Sequence, residues 1–91
     1  MPYYVYILFS ESLGKYYIGS SGNVTERLRK HLTKHSGFTG RAKDWEIVYK
    51  KDFENKQAAL LKEKEIKNWK SIYMVEKLIN ETNTILSKVN G

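Results

Sequence analysis

The sequence predicts a small α+β fold, a three-stranded antiparallel sheet flanked by helices in the order β-β-α-β-α-α. Three observations lead there. Residues 3–9, 16–19 and 44–53 are rich in β-branched and aromatic side chains, the composition of strands. Apolar residues recur at helical spacing over 24–32, 57–70 and 72–89, with charged residues between them. Gly, Ser and Asn punctuate the joins, as turns require.

The first strand is Tyr3-Tyr4-Val5-Tyr6-Ile7-Leu8-Phe9, and the polar stretch Ser10 to Lys15, containing Gly14, turns the chain. Tyr16-Tyr17-Ile18-Gly19 resumes strand character at hairpin distance, before Ser20-Ser21-Gly22 breaks it. An antiparallel hairpin results. A helix follows, because Asn23 is a good N-cap with Glu26 three positions on, and Val24, Leu28 and Leu32 recur every fourth residue. It is expected to fade near His35, and Ser36 to Gly40 reads as loop. Trp45, Ile47 and Tyr49 alternate with Glu46, Val48 and Lys50, which makes Asp44 to Phe53 the third strand. Strong helix formers run from Gln57 to Lys70, with Ala59, Ile66 and Trp69 toward a core. The last helix begins after Ser71, carries Val75, Leu78 and Ile79 inward, and is expected to fray beyond Asn80. The expected division is residues 1–80 as the domain and 81–91 as a helix end or tail.

Ninety-one residues suffice for one domain, which buries roughly 60–65% of the surface its unfolded chain exposes. The absence of cysteine excludes a disulfide framework and a thiolate zinc site, and suits a reducing cytoplasm. No apolar run approaches the roughly 20 residues of a membrane span, and no leader is recognisable at the N-terminal strand. The expectation is therefore a soluble, cytoplasmic protein without membrane contact or small-molecule cofactor. Its net charge is +6, unevenly placed: Arg27, Arg29, Lys30, Lys34, Arg41 and Lys43 fall in one stretch without an acidic residue. Guanidinium groups grip phosphate through a fixed fork of donors, so these six residues are the candidate nucleic-acid contacts, with a solvated basic face as the plain alternative. The loops Ser10 to Lys15 and Ser36 to Lys43 are placed to add contacts.

Five side chains are candidates for chemistry. Any hairpin register with an odd index sum, such as the one that sets Tyr6 opposite Gly19 and Leu8 opposite Tyr17, puts both tyrosines on one face. Gly19, lacking a side chain, would leave space beside the Tyr6 phenol for a bulky ligand group. On the first helix Arg27 and His31 are four apart and stack along one edge. On the second, Glu63 lies between Ala59 and Ile66 at the border of the apolar stripe, where a carboxylate is costly unless paired or metal-bound. Each has an ordinary reading as well: core tyrosines with satisfied hydroxyls, a solvent-facing Arg and His, and a Glu63–Lys67 pair at i, i+4.

As a set these positions resemble the short, free-standing members of the GIY-YIG nuclease superfamily, related to the N-terminal nuclease domain of the bacterial repair excinuclease. The resemblance runs from about Tyr3 to Leu78. Val5-Tyr6 matches the first motif, Tyr17-Ile18-Gly19 the second, Arg27 the invariant arginine, and Arg27 with His31 the Arg-x-x-x-His of the short members. Glu63, between Ala59 and Ile66-Lys67, matches the metal-binding glutamate. Departures are Tyr4 in place of the first glycine, Ser20 where the repair branch carries lysine, Ser21 where short relatives often have threonine, Val75 near the place of an asparagine in longer relatives, and Ile72-Tyr73-Met74 where short relatives are basic.

The resemblance implies an endonuclease that hydrolyses DNA phosphodiester bonds, in repair or recombination, with Mg²⁺ or Mn²⁺ held by Glu63. It implies that Arg27 offsets phosphoryl charge, Tyr6 removes a proton from water, Tyr17 hydrogen-bonds the water or phosphate, and His31 orients a hydroxyl. Tyr6 would need neighbouring cations to favour its phenolate, because a tyrosine with its ordinary pKa of about 10 is a poor base. The competing expectations are a nucleic-acid binding module that cleaves little, and an adaptor that pairs through an exposed sheet edge.

Overall fold

The computed structural model describes residues 2–33 and 42–90, with side chains described at 2–30, 32 and 42–81. Strand β1 (Tyr3–Ser10) turns into β2 (Lys15–Ser21), and α1 (Val24–Thr33) follows. After β3 (Glu46–Phe53) come α2 (Lys56–Trp69) and α3 (Ile72–Asn90). The α+β class and the β-β-α-β-α-α order are those the sequence predicts. The loop expected at Ser36 to Gly40, and the expected fading of α1 near His35, lie outside the described residues.

The sheet is antiparallel in the order β2-β1-β3. The hairpin register is the odd-sum one, with Tyr6 opposite Gly19 and Leu8 opposite Tyr17. Its turn closes through Gly14, at φ 63, whose amide donates to the Ser10 carbonyl at 2.7 Å. A side chain there would meet open space, so the conformation and not crowding favours glycine.

Being central, β1 buries both faces, and Val5, Tyr6, Ile7 and Leu8 are inaccessible to solvent. Val5 and Ile7 pack with Tyr49, Ala59, Ile66, Val75 and Ile79 beneath α2 and α3. Tyr6 and Leu8 pack on the other face with Val24 and Trp45, flanked by Tyr17, Leu28 and Leu32. Each fully buried aliphatic side chain contributes roughly 1.5–3 kcal/mol relative to an exposed one, so two small cores, one per face, hold the sheet.

Strand β3 departs from simple alternation. Trp45, Ile47 and Tyr49 should share a face, yet Trp45 joins the α1 core and Tyr49 the opposite one. The register shift between Ile7 and Leu8 explains this: Ile7 pairs with Tyr49 while Leu8 pairs with Ile47, so Val48 is an extra residue and the phase inverts. The strand also begins two residues later than expected. Asp44 is engaged elsewhere, its carboxylate accepting from the Ser10 hydroxyl at 2.6 Å and the Ser12 amide at 2.8 Å, which ties the entry of β3 to the β1–β2 turn.

Helix starts follow local chemistry. The Glu26 amide donates to Asn23 Oδ1 at 3.0 Å, as an N-cap should. The reciprocal half of a capping box is absent: Ser21 Oγ accepts the Asn23 amide at 3.0 Å, which releases Glu26 to pair with Arg29. Asn55, in extended conformation, accepts the Ala58 amide at 2.9 Å and caps α2, an arrangement typically worth about 1 kcal/mol. Helix α3 is continuous past Asn80 to Asn90.

Candidate active site at the edge strand

Strand β2 is an outer strand, and residues 19 and 20 face opposite sides of it. Gly19 shares the α1 face with Tyr6 and Tyr17, while Ser20, opposite Val5, faces α2. Functional candidates approach this short stretch from both sides.

From the α1 side comes Tyr6, a fully buried residue. Its phenol lies across Gly19, for a Cβ added at Gly19 would stand 2.7 Å from the hydroxyl and 2.8 Å from the ring carbon bearing it. This corrects one expectation: the space that glycine leaves is filled by the Tyr6 ring itself and is not left for a ligand. Tyr17 stands beside it, ring centroids 6.4 Å apart and planes tilted by 37°. The Arg27 guanidinium, from α1, is near enough to the Tyr6 hydroxyl to act on it by hydrogen bonding and charge.

These neighbours act on the phenol in opposing senses. Burial raises the Tyr6 pKa most, and Tyr17 adds to the rise; Arg27 lowers it by hydrogen bond and charge, while Glu63 raises it slightly. The net shift is upward. The expectation that cations draw Tyr6 toward phenolate is thus met only in sign: Arg27 pulls that way, but loss of hydration outweighs it.

From the other side comes Glu63, on α2, a helix that packs against both β1 and β2. Its side chain is 16% exposed. Oε1 accepts from Ser20 Oγ at 2.5 Å, and Oε2 accepts from Lys67 Nζ at 2.6 Å. The i, i+4 pairing with Lys67 is therefore present, and the carboxylate is also turned onto the sheet edge. Helices carrying Arg27 and Glu63 lie on opposite faces, with the carboxylate held at Ser20 of the edge strand and the phenol lying across the adjacent Gly19. Glu63 is close enough for its charge to act on Tyr6.

Ser20 is the residue that sequence reasoning missed as a partner of Glu63. The alternation of β2 was enough to place it on the α2 face, but nothing in the sequence set the height of α2 along the strand. His31 falls within α1, with a side chain outside the described residues, as Lys34 and Arg41 are entirely. Among the remaining basic candidates, Lys30 and Lys43 are exposed, and Arg29 is held by Glu26 at 2.5 Å, which spends part of its charge locally.

Among the described residues no three His, Cys, Asp or Glu side chains cluster as a metal cage. One carboxylate is nevertheless enough for a hard divalent cation that keeps most of its water, and each Glu63 oxygen retains a lone pair beyond its hydrogen bond.

A central buried phenol, a guanidinium on it and a carboxylate at the adjoining edge belong to a recognisable class. Residues 2–77 match the GIY-YIG catalytic domain, and the chain belongs to the GIY-YIG family, a family of nucleases. Among solved structures, it is similar to the solution structure of the UPF0213 protein BH0048 from Bacillus halodurans, with 30% identity and a TM-score of 0.56 over 88% of this chain and 84% of that one. No curated protein matches the chain. No helix among the described residues is long and apolar enough to cross a membrane.

Proposed function

We propose that the chain is a Mg²⁺-dependent endonuclease that hydrolyses phosphodiester bonds in DNA, with Mn²⁺ as an acceptable substitute, and that it works in DNA repair or recombination. The observation that carries this reading is the meeting of Tyr6, Arg27 and Glu63 around residues 19 and 20 of β2. Family membership supplies the reaction class.

Glu63 would hold the cation, with Ser20 fixing one carboxylate oxygen and Lys67 the other. Bound there, the ion would polarise the phosphate and stabilise the leaving 3′ oxygen. Arg27 offsets charge gathering on the phosphoryl group, and being already directed at Tyr6 it needs little reorganisation. Tyr6 takes the proton of the attacking water, a task its raised pKa makes slow near neutrality unless added positive charge favours the phenolate. Tyr17, its ring tilted beside Tyr6 at 6.4 Å between centroids, hydrogen-bonds the water or the phosphate, and His31, one turn beyond Arg27, orients a tyrosine hydroxyl or relays its proton. Arg29, Lys30, Lys34, Arg41 and Lys43 serve the phosphates on either side.

The test is nicking of supercoiled plasmid and of branched DNA by the purified protein with Mg²⁺. Glu63→Ala should abolish cleavage and leave binding largely intact. Equal cleavage by the variant and the wild type would assign the activity to a contaminant or to another site.

A further inference from the structure

A second concavity adjoins Glu63 on the side away from the tyrosines. Its volume is about 260 Å³, and it lies between β2, the end of α2 and the start of α3. The floor is aliphatic, made by Ile18, Ile66, Ile72 and Val75, and the rim carries Lys67 and Lys70. Lys67 is shared with the candidate site, since its ammonium bonds the Glu63 carboxylate.

Three features of this cleft suit one ligand. Its volume falls just short of the roughly 300 Å³ at which pockets for drug-sized molecules begin, so it has space for about one ring. Ile72 remains 62% exposed, and a planar apolar face laid on it would remove that surface from water. Lys70 ends α2 at φ 50 and ψ 34, left-handed values that a lysine adopts at a cost glycine avoids, and it brings a cation to the rim.

We propose that this cleft seats one unpaired nucleotide of the strand whose phosphate reaches Glu63, with its base on the Ile72 floor and its phosphate at Lys70. Charge and polarity are both complementary, because a nucleotide joins a ring with apolar faces to an anion, and the cleft joins an aliphatic lining to Lys70. A base inside a duplex has both faces covered by its neighbours, so only an unpaired one can enter without first unstacking. The site thereby selects DNA with a single-stranded segment next to the cut. The inference rests on the reading of the chain as a nucleic-acid enzyme, but not on its catalytic step.

Binding measured in EDTA separates the two. Fluorescence anisotropy compares a short labelled duplex carrying a single-stranded tail, at either end of either strand, with a blunt duplex of the same paired sequence. Wild type should prefer one tailed duplex by about tenfold. Ile72→Ser and Lys70→Asn should each bring that ratio close to one; Ile72 is a surface residue and asparagine tolerates the left-handed backbone, so both variants should fold. Lys70→Asn should also reduce the salt slope for the tailed duplex by about 0.7, the value for one single-strand phosphate. A wild-type ratio below about two, or a ratio that either variant leaves unchanged, overturns the proposal. Tail preference in a protein that never cuts would uphold the cleft and remove the nuclease reading instead.

Discussion

At the scale of single residues, the Tyr6 phenol lies across Gly19 where a side chain would otherwise stand. Gly19→Ala would place a methyl group 2.7 Å from a hydroxyl and 2.8 Å from a ring carbon of a fully buried side chain. Overpacking of this kind costs about 1–3 kcal/mol, and relief by moving the phenol would weaken the influence of Arg27 on its hydroxyl. The expected outcome is a lower urea midpoint together with loss of cleavage; a stable variant with full activity would show that the phenol's position is immaterial. The tyrosine itself makes a second prediction. Burial, ahead of Tyr17, holds its pKa above the ordinary value, so the phenolate is scarce at neutral pH and grows with rising pH. If Tyr6 is the base, cleavage rises with pH, approaching tenfold per unit, until it levels at the pKa of the bound complex, and Tyr6→Phe abolishes that rise. A full pH dependence in Tyr6→Phe with a loss in Tyr17→Phe would transfer the role. That Tyr6, Tyr17 and Gly19 share a face was legible in the sequence, because every odd-sum hairpin register puts them there, whereas the direct opposition of Tyr6 and Gly19 belongs to one such register. The upward shift of Tyr6 was not: charges are visible in a sequence, but burial of a particular hydroxyl depends on what packs over it.

Among the elements, the least regular join is the one that governs how the hairpin meets β3. Ser10 is fully buried, and its hydroxyl, which accepts from the Leu13 amide at 3.2 Å, donates to Asp44, which reaches back across 34 residues to accept it at 2.6 Å. The Ser10 hydroxyl first, then the Ser12 amide, hold the Asp44 carboxyl below the usual aspartate range. A carboxyl depressed on folding contributes stability above its unfolded pKa, and the contribution disappears as pH falls through the folded value. Thermal melts across the acid range should therefore fall with decreasing pH below about 4, and Asp44→Asn should be less stable at neutrality with a shallower acid decline. Parallel curves for the two proteins would mean that the latch is formed equally in the unfolded chain or contributes nothing. The sequence displayed Asp44 at the head of an alternating run, and alternation alone made it a strand residue. Neither its capture by a turn nor the bulge at Val48 leaves a mark in residue type, since both arise from the register in which β3 meets β1.

For the molecule as a whole, the arrangement to explain is a sheet covered on both sides whose functional candidates come from both. Apolar stripes on α1 and α2 were readable, but a stripe says only that a helix is covered, and the face each helix takes is decided by connection and packing. Glu63 and Tyr6 meet consecutive residues of β2 from opposite faces, and the outer position of that strand leaves no further strand between the two layers there. The opposite edge bears on function too. Strand β3 exposes Lys50 and Lys51, and lysines on an outer strand hinder pairing with a partner chain, which argues against an adaptor that works by sheet extension. A nuclease must instead hold phosphates on both sides of the cut, and Arg27, Lys30 and Lys43 offer exposed cations for this among the described residues, with Arg29 partly committed to Glu26. Neutralising four phosphates of duplex DNA makes log K fall against log salt with a slope of about −3.6. Affinity for a blunt duplex should therefore drop at least thirtyfold between about 50 and 200 mM salt. Charge reversal at an exposed cation, as in Lys30→Glu, should flatten the slope by about one or two units while leaving the thermal melt unchanged. A slope near zero would mean that the basic surface of α1 does not face the nucleic acid, and the substrate would then have to approach the edge strand from the α2 side alone.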